Sequence, residues 1–197
     1  MDTKPMIVFD GCCGLKGISN VFASRGWQTI SLDIKPEFEP TIIADIREYH
    51  YEGPRPDLMW FSPPCQDFTR SFLPWIHANS PPDLSIVKAC KQLISEVNPR
   101  YWVIENVKGA QRWLLPFLGK PRQISGPFYL WGYFPPLSKV NLNMKQKQTY
   151  TSARKAERAM IHRALAYSLA IAIENQNDFF SYPCFYNEKN EEISRNP

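Results

Sequence analysis

The stretch Met6-Ile7-Val8-Phe9-Asp10-Gly11-Cys12-Cys13-Gly14-Leu15-Lys16-Gly17 decides the fold. An apolar run without polar alternation ends in an acid and a glycine, and a glycine-punctuated turn then opens a helix over Gly17–Ser24. Uninterrupted apolar runs of this length suit parallel strands buried on both faces. The pattern recurs. Thr29–Ile34 and Thr41–Ile46 each end around an acid, Asp33 and Asp45. Leu58–Phe61 runs into Ser62-Pro63-Pro64-Cys65, and Tyr101–Ile104 into Glu105-Asn106. Further helices are expected over Leu84–Val97 and Gly109–Phe117, and one long helix over Ala153–Asn175 with apolar positions Ala156, Met160, Ala164, Tyr167, Ala170 and Ile171. Alternating strands and helices predict an α/β fold, a doubly wound, mostly parallel sheet with right-handed crossovers. In such sheets ligands bind beyond the carboxyl ends of the strands, so the acids, Cys65 and Glu105 converge on one rim.

At 197 residues the chain suits one domain with its own core, and 44% hydrophobic against 21% charged residues is a globular composition. No apolar run approaches the ~20 residues that span a bilayer, so no membrane partner is expected. Met1-Asp2-Thr3-Lys4-Pro5 has no apolar core of a secretory signal, which favours the cytoplasm. Five cysteines, two adjacent and none in a Cys-x-x-Cys pair, read as reduced thiols, with Cys90 and Cys184 as packing residues. His50, His77 and His162 lack ligand spacing, and no metal is expected.

The net charge is only +4, but residues 139–163 hold Lys139, Lys145, Lys147, Arg154, Lys155, Arg158 and Arg163 against the single acid Glu157. Residues 174–197 carry two basic residues against five acids and lose periodicity from 178 onward. A basic block followed by an acidic tail fits a polyanionic partner, and equally a solvated helix face with a basic loop. The Pro- and Ser-rich stretch Gln66–Pro82, with Trp75 and His77, reads either as a lid over a pocket or as a surface loop.

Three constellations carry chemistry. In the first, the glycine turn after the first strand is followed 19 residues beyond Gly14 by Asp33, the distance at which an acid grips ribose hydroxyls. Asp45 is placed to accept from an adenine amino group. Acids in this number disfavour a pyrophosphate and suit a cationic nucleoside such as the sulfonium S-adenosylmethionine; a nicotinamide dinucleotide is the rival. In the second, two prolines fix the backbone before Cys65, a thiol at a strand end that can act as a nucleophile or simply pack. In the third, Glu105 leaves a buried strand, where a carboxyl stays protonated and can donate to a ring nitrogen, or caps the following helix. A thiolate, a proton donor and a methyl-donor pocket together are what methylation at pyrimidine C5 requires. Addition of the thiolate to C6 makes C5 nucleophilic, and proton donation at N3 stabilises the adduct.

From Met6 to Glu174 the chain resembles a compact, phage-type member of the cytosine-5 DNA methyltransferase family. Pro63-Pro64-Cys65-Gln66 resembles the catalytic Pro-Cys-Gln loop, and Glu105-Asn106-Val107, 40 residues later, the Glu-Asn-Val motif. The resemblance implies the Rossmann-like class I S-adenosylmethionine-dependent methyltransferase fold over residues 1–177, with 178–197 as an irregular tail. It implies catalysis by Cys65, Glu105, Asn106 and Pro64. It implies cofactor binding by Phe9, Asp10, Gly11, Cys12, Gly14, Leu15, Asp33, Ile34, Asp45, Ile46 and Pro63, and a pocket closed by the helix following Arg158-Ala159-Met160-Ile161. Gln66, Arg70, Arg122, Lys139, Lys145, Lys147, Arg154 and Lys155 would contact the nucleic acid, DNA being the first expectation and RNA the alternative. Cys13 departs from the family's second loop glycine, and Arg122 is the nearest counterpart of a missing Gln-x-Arg-x-Arg motif. Only 26 residues separate Trp131 from Arg158, so no separate target-recognition domain is expected. A monomer in a bacterial or phage-infected cytoplasm, relaxed sequence reading and a partner protein supplying recognition follow as expectations. The rivals are an amino-methyltransferase using Ser62-Pro63-Pro64 and a non-catalytic nucleic-acid-binding protein on the same fold.

Overall fold

A computed structural model describes residues 4–69, 81–140, 142 and 160–181, with side chains as far as residue 176. The strands are β1 (Ile7–Gly11), β2 (Gln28–Asp33), β3 (Ile42–Ile43), β4 (Leu58–Phe61), β5 (Tyr101–Asn106), β6 (Gln123–Ser125) and β7 (Phe128–Tyr133). They form one sheet in the order β3-β2-β1-β4-β5-β7-β6. β1 to β5 pair in parallel, and β7 runs antiparallel to both β5 and β6. The helices are α1 (Gly17–Ala23), α2 (Gln66–Thr69), α3 (Ser85–Val97), α4 (Gln111–Leu118) and α5 (Arg163–Ser181).

Strand alternation divides the core into two layers. Leu58 and Trp60 of β4, with Val8 and Val103, pack against Ile18 and Phe22 of α1 and Leu165, Leu169 and Ile173 of α5. Met59 and Phe61, with Phe9 and Ile104, pack against Val87, Leu93 and Ile94 of α3 and Leu114 of α4. Both faces of β4 are thus covered, which is why its four residues are all apolar and all fully buried. α5 is fastened to the turn before β2 by Glu174, which pairs with Arg25 (Nε–Oε1 2.9 Å) and accepts from Trp27 Nε1 at 2.9 Å.

Three features differ from expectation. Thr41–Ile46 contributes only the edge pair Ile42–Ile43; Asp45 turns inward on its own neighbour Arg47 instead. The expected helix over Ala153–Asn175 does not run through Met160–His162, and α5 starts at Arg163 and continues to Ser181. Its buried stripe is Leu165, Ala166, Leu169, Ala170 and Ile173; of the expected positions Ala170 is buried and Ala164 and Ile171 are half-buried, whereas Met160 and Tyr167 are exposed. The β6–β7 hairpin was not anticipated. It turns at Gly126, whose φ of 57° favours glycine. Gly132, at φ 145°, lets β7 lie against β5, since a Cβ there would stand 2.0 Å from the Trp102 carbonyl oxygen. Among the described residues no helix is long and apolar enough to cross a membrane.

Candidate active site

The carboxyl ends of β1, β2, β4 and β5 lie side by side, and the loops leaving them build the site. After β1 the chain adopts left-handed backbone at Cys12 (φ 54°), Gly14 (φ 48°) and Lys16 (φ 56°). Such a conformation costs a non-glycine residue roughly 1–2 kcal/mol, so Cys12 and Lys16 hold it only because the loop is anchored. Cys13, in the expected glycine position, is not among the left-handed residues and needs no glycine; its N–H donates to the Leu32 carbonyl at 3.1 Å, tying the loop to β2. Gly11 is required for a different reason: a Cβ there would lie 2.5 Å from the Phe61 ring.

Two carboxylates organise this loop. Asp10 is buried, and its Oδ2 accepts from both the Ser19 backbone N–H (3.0 Å) and the Ser19 hydroxyl (2.7 Å), satisfying the first turn of α1. Burial pushes its carboxyl up to about 7 against the pull of the Ser19 bonds, and the charge of Asp33 adds to the rise. Asp33 accepts from Gly14 N–H at 2.9 Å on Oδ2 and from Lys35 N–H at 3.0 Å on Oδ1. One bond on each oxygen leaves further lone pairs for hydroxyl donors. Ile34, next along, is 57% exposed and offers an apolar face at the same rim. Gly14 faces open space, with nothing within 4 Å of where a Cβ would stand. This acid-lined loop suits a neutral or cationic nucleoside and opposes an anionic pyrophosphate. Burial and Asp10 push the Cys13 thiol up to about 12, and hydrogen-bond contact with Cys90, together with burial, holds the Cys12 thiol well above its usual range. Both shifts favour the protonated thiol, the weakly nucleophilic form.

Cys65 sits half-buried between β4 and α2, and its carbonyl accepts from the N–H groups of Phe68 and Thr69, both at 3.2 Å. Pro63 is buried and Pro64 exposed. The loop is pinned from the next strand by Asn106, itself fully buried, whose Nδ2 donates to the Pro63 carbonyl at 3.1 Å while its Oδ1 accepts from Val107 N–H at 2.9 Å. Beside it Glu105 is only 8% exposed, and burial pushes its carboxyl up to about 8, moderated by a hydrogen bond from Ser62. At neutral pH Glu105 therefore carries a proton, and Cys65 and a neutral carboxyl donor stand at adjacent strand ends.

The remaining expected residues are placed unevenly. Phe9 is fully buried in an aromatic cluster with Tyr49, Tyr51 and Phe61, and Ile46 is buried nearby. Leu15 is half-buried in the loop, and Gln66 is exposed at the start of α2. Both Asp45 oxygens are taken by Arg47, which holds that carboxyl down to about 2. Arg122 is exposed, with its guanidinium 5.5 Å from the Phe134 ring, and it does not figure among the groups acting on Glu105. Lys139 is exposed. Arg70, Trp75, His77, Lys145, Lys147, Arg154, Lys155, Arg158 and Cys184 lie outside the described residues. Ile161 lies against the start of α1, where a Cβ on Gly17 would come within 2.9 Å of its carbonyl oxygen. Sequence reasoning overlooked Ser62 as a partner of Glu105; its signal was the position one residue past the end of β4, in register with Glu105 when the Phe61–Ile104 pairing is continued.

No family model and no curated protein matches the chain. Several solved structures are similar to part of the chain. One, described as a DNA modification methyltransferase encoded within an E. coli prophage, is 16% identical, with a TM-score of 0.47 over 65% of this chain and 46% of its own. The S. pombe Dnmt2 methyltransferase is 16% identical, with a TM-score of 0.41 over 81% of this chain and 56% of its own. The Entamoeba histolytica methyltransferase EhMeth is 15% identical, with a TM-score of 0.44 over 75% of this chain and 58% of its own. The chain thus spans about half the length of these structures. In its own strand order, 3-2-1-4-5-7-6 with β7 reversed, the chain has the Rossmann-like class I methyltransferase fold.

Proposed function

We propose that the protein is an S-adenosylmethionine-dependent methyltransferase that methylates cytosine C5 in DNA, with RNA as the alternative substrate. The observation that carries this reading is the hydrogen bond from Asn106 Nδ2 to the Pro63 carbonyl. It joins the two strand ends and sets the Cys65 loop beside the protonated Glu105. The loop after β1 fits the methyl donor: Asp33 would hold the ribose, Ile34 would lie against the adenine, and the Asp10–Asp33 pair favours a positive charge nearby. S-adenosylmethionine, when bound, supplies an electrophilic methyl carbon. Cys65 Sγ adds to C6 of the target base while Glu105 gives a proton or hydrogen bond to N3, which leaves C5 nucleophilic. After C5 accepts a methyl group, loss of its proton expels Sγ and restores the aromatic ring. The base would be flipped from a duplex or taken from a single strand.

Affinity would come from phosphate contacts by Lys139, Lys145, Lys147, Arg154 and Lys155, and specificity would be relaxed, a context of one to three nucleotides. We further propose a monomer working in the cytoplasm, with a partner protein as the route to tighter target choice. The test is incubation with S-adenosylmethionine and a 5-fluorocytosine oligonucleotide. Fluorine at C5 blocks the final elimination, so a denaturant-resistant complex through Cys65 is expected, and its absence with both DNA and RNA oligonucleotides would refute the C5 reading.

A further inference from the structure

We propose that Ser62, its hydroxyl held by Trp60, is a positioning residue that ties the Glu105 carboxyl to the end of β4. The inference rests on the cytosine reading only for the use to which the Glu105 proton is put. Trp60 is fully buried in the core layer under α1 and α5, and its indole Nε1–H donates to Ser62 Oγ at 2.8 Å. An indole nitrogen donates only, so this bond has one polarity. Accepting from Trp60 leaves the hydroxyl proton free, and the Glu105 carboxyl, which Ser62 meets across the continued β4–β5 register, is the acceptor beside it. When Glu105 is ionised the chain runs from Trp60 N–H to Ser62 O–H to the carboxylate, so Ser62 ties the acid to the end of β4 and to the core beneath it.

The neighbouring elements leave Ser62 as the main polar influence on this carboxyl. Their titratable groups are Asp10 at the end of β1, Cys65 after β4, Lys108 after β5, Arg122 before β6, and Tyr129 and Tyr133 on β7. Burial and the Ser62 hydrogen bond are what act on Glu105. Ser62 favours the carboxylate, so its loss raises the pH at which Glu105 gives up its proton.

The test combines a direct titration with kinetics. Protein labelled with 13C at the glutamate carboxyls is titrated by NMR, with the Glu105 signal assigned through Glu105→Gln. The wild-type midpoint is expected near 8. Ser62→Ala should move it upward by about one pH unit, Trp60→Phe in the same direction by less, and Ser62→Thr, which keeps the hydroxyl, should restore it. On a cytosine oligonucleotide Ser62→Ala should lower kcat about 10-fold with KM within about two-fold, its alkaline limb moving with the NMR midpoint. A Glu105 midpoint unmoved in Ser62→Ala overturns the proposal whatever the activity. A moved midpoint with no methylation of cytosine by the wild type upholds the chain of hydrogen bonds and overturns the proposed substrate.

Discussion

Asn106→Ala tests whether the site is held together across β4 and β5 or merely happens to lie there. The side chain is fully buried and makes two hydrogen bonds, to the Pro63 carbonyl at 3.1 Å and from Val107 N–H at 2.9 Å. Alanine leaves the buried Pro63 carbonyl without its donor, a cost of about 1–3 kcal/mol, and removes a second bond with a net worth of about 0.5–1.5 kcal/mol. The expected loss of stability is therefore roughly 2–4 kcal/mol, and in a domain of this size each kcal/mol lowers Tm by about 2–4 °C. Calorimetry or circular dichroism should show Tm falling by roughly 5–15 °C with two-state unfolding retained. Asn106→Asp separates the two bonds: it keeps the acceptor for Val107 but sets an oxygen against the Pro63 carbonyl, so it should be no more stable than alanine. Activity should suffer beyond stability, because a 1 Å displacement of the loop carrying Cys65 costs about 10²-fold. Trapping by the 5-fluorocytosine oligonucleotide, measured well below Tm, should slow accordingly. A Tm within about 2 °C of wild type, or unslowed trapping, would mean that Asn106 does not organise the site.

Cys65→Ala should lower turnover by more than ~10³-fold and leave the affinity for S-adenosylmethionine within a few-fold, which calorimetric titration checks. Asp33→Ala should weaken cofactor binding by ~1.5–3 kcal/mol through the lost ribose contacts, and should also lower Tm, because Gly14 N–H loses its acceptor. Stability should fall as pH rises from about 5 to 8. Both Glu105 and Asp10 have folded-state values raised above their unfolded ones, to about 8 and about 7, so the native state binds the extra protons and loses that advantage as they leave. Glu105→Gln, which mimics the neutral carboxyl, should flatten the upper part of that slope in a Tm-against-pH series; an unchanged slope would place Glu105 in water.

The strands were legible because their burial is two-sided. Met59 and Phe61 face one helix layer and Leu58 and Trp60 the other, so β4 had to be apolar throughout and reads as a strand without alternation. The candidate residues Asp10, Asp33, Cys65 and Glu105 stand out because they lie at or just past strand ends, where an acid or a cysteine interrupts such a run. What failed to show has a common cause in longer-range geometry. The β6–β7 hairpin depends on Gly132, whose backbone approach to Trp102 no local pattern announces. Tyr167 breaks the expected stripe of α5 because it counts as apolar by type yet lies outward, with Arg25 over its ring at 4.7 Å. Asp45 suggests a ligand contact because it interrupts an apolar run, but Arg47, two residues on, takes both of its oxygens. Ser62 carries the same lesson in reverse. Alone it is one polar residue before two prolines. Its meaning appears only when β4 and β5 pair, because that register sets it beside Glu105 while Trp60 anchors its hydroxyl oxygen.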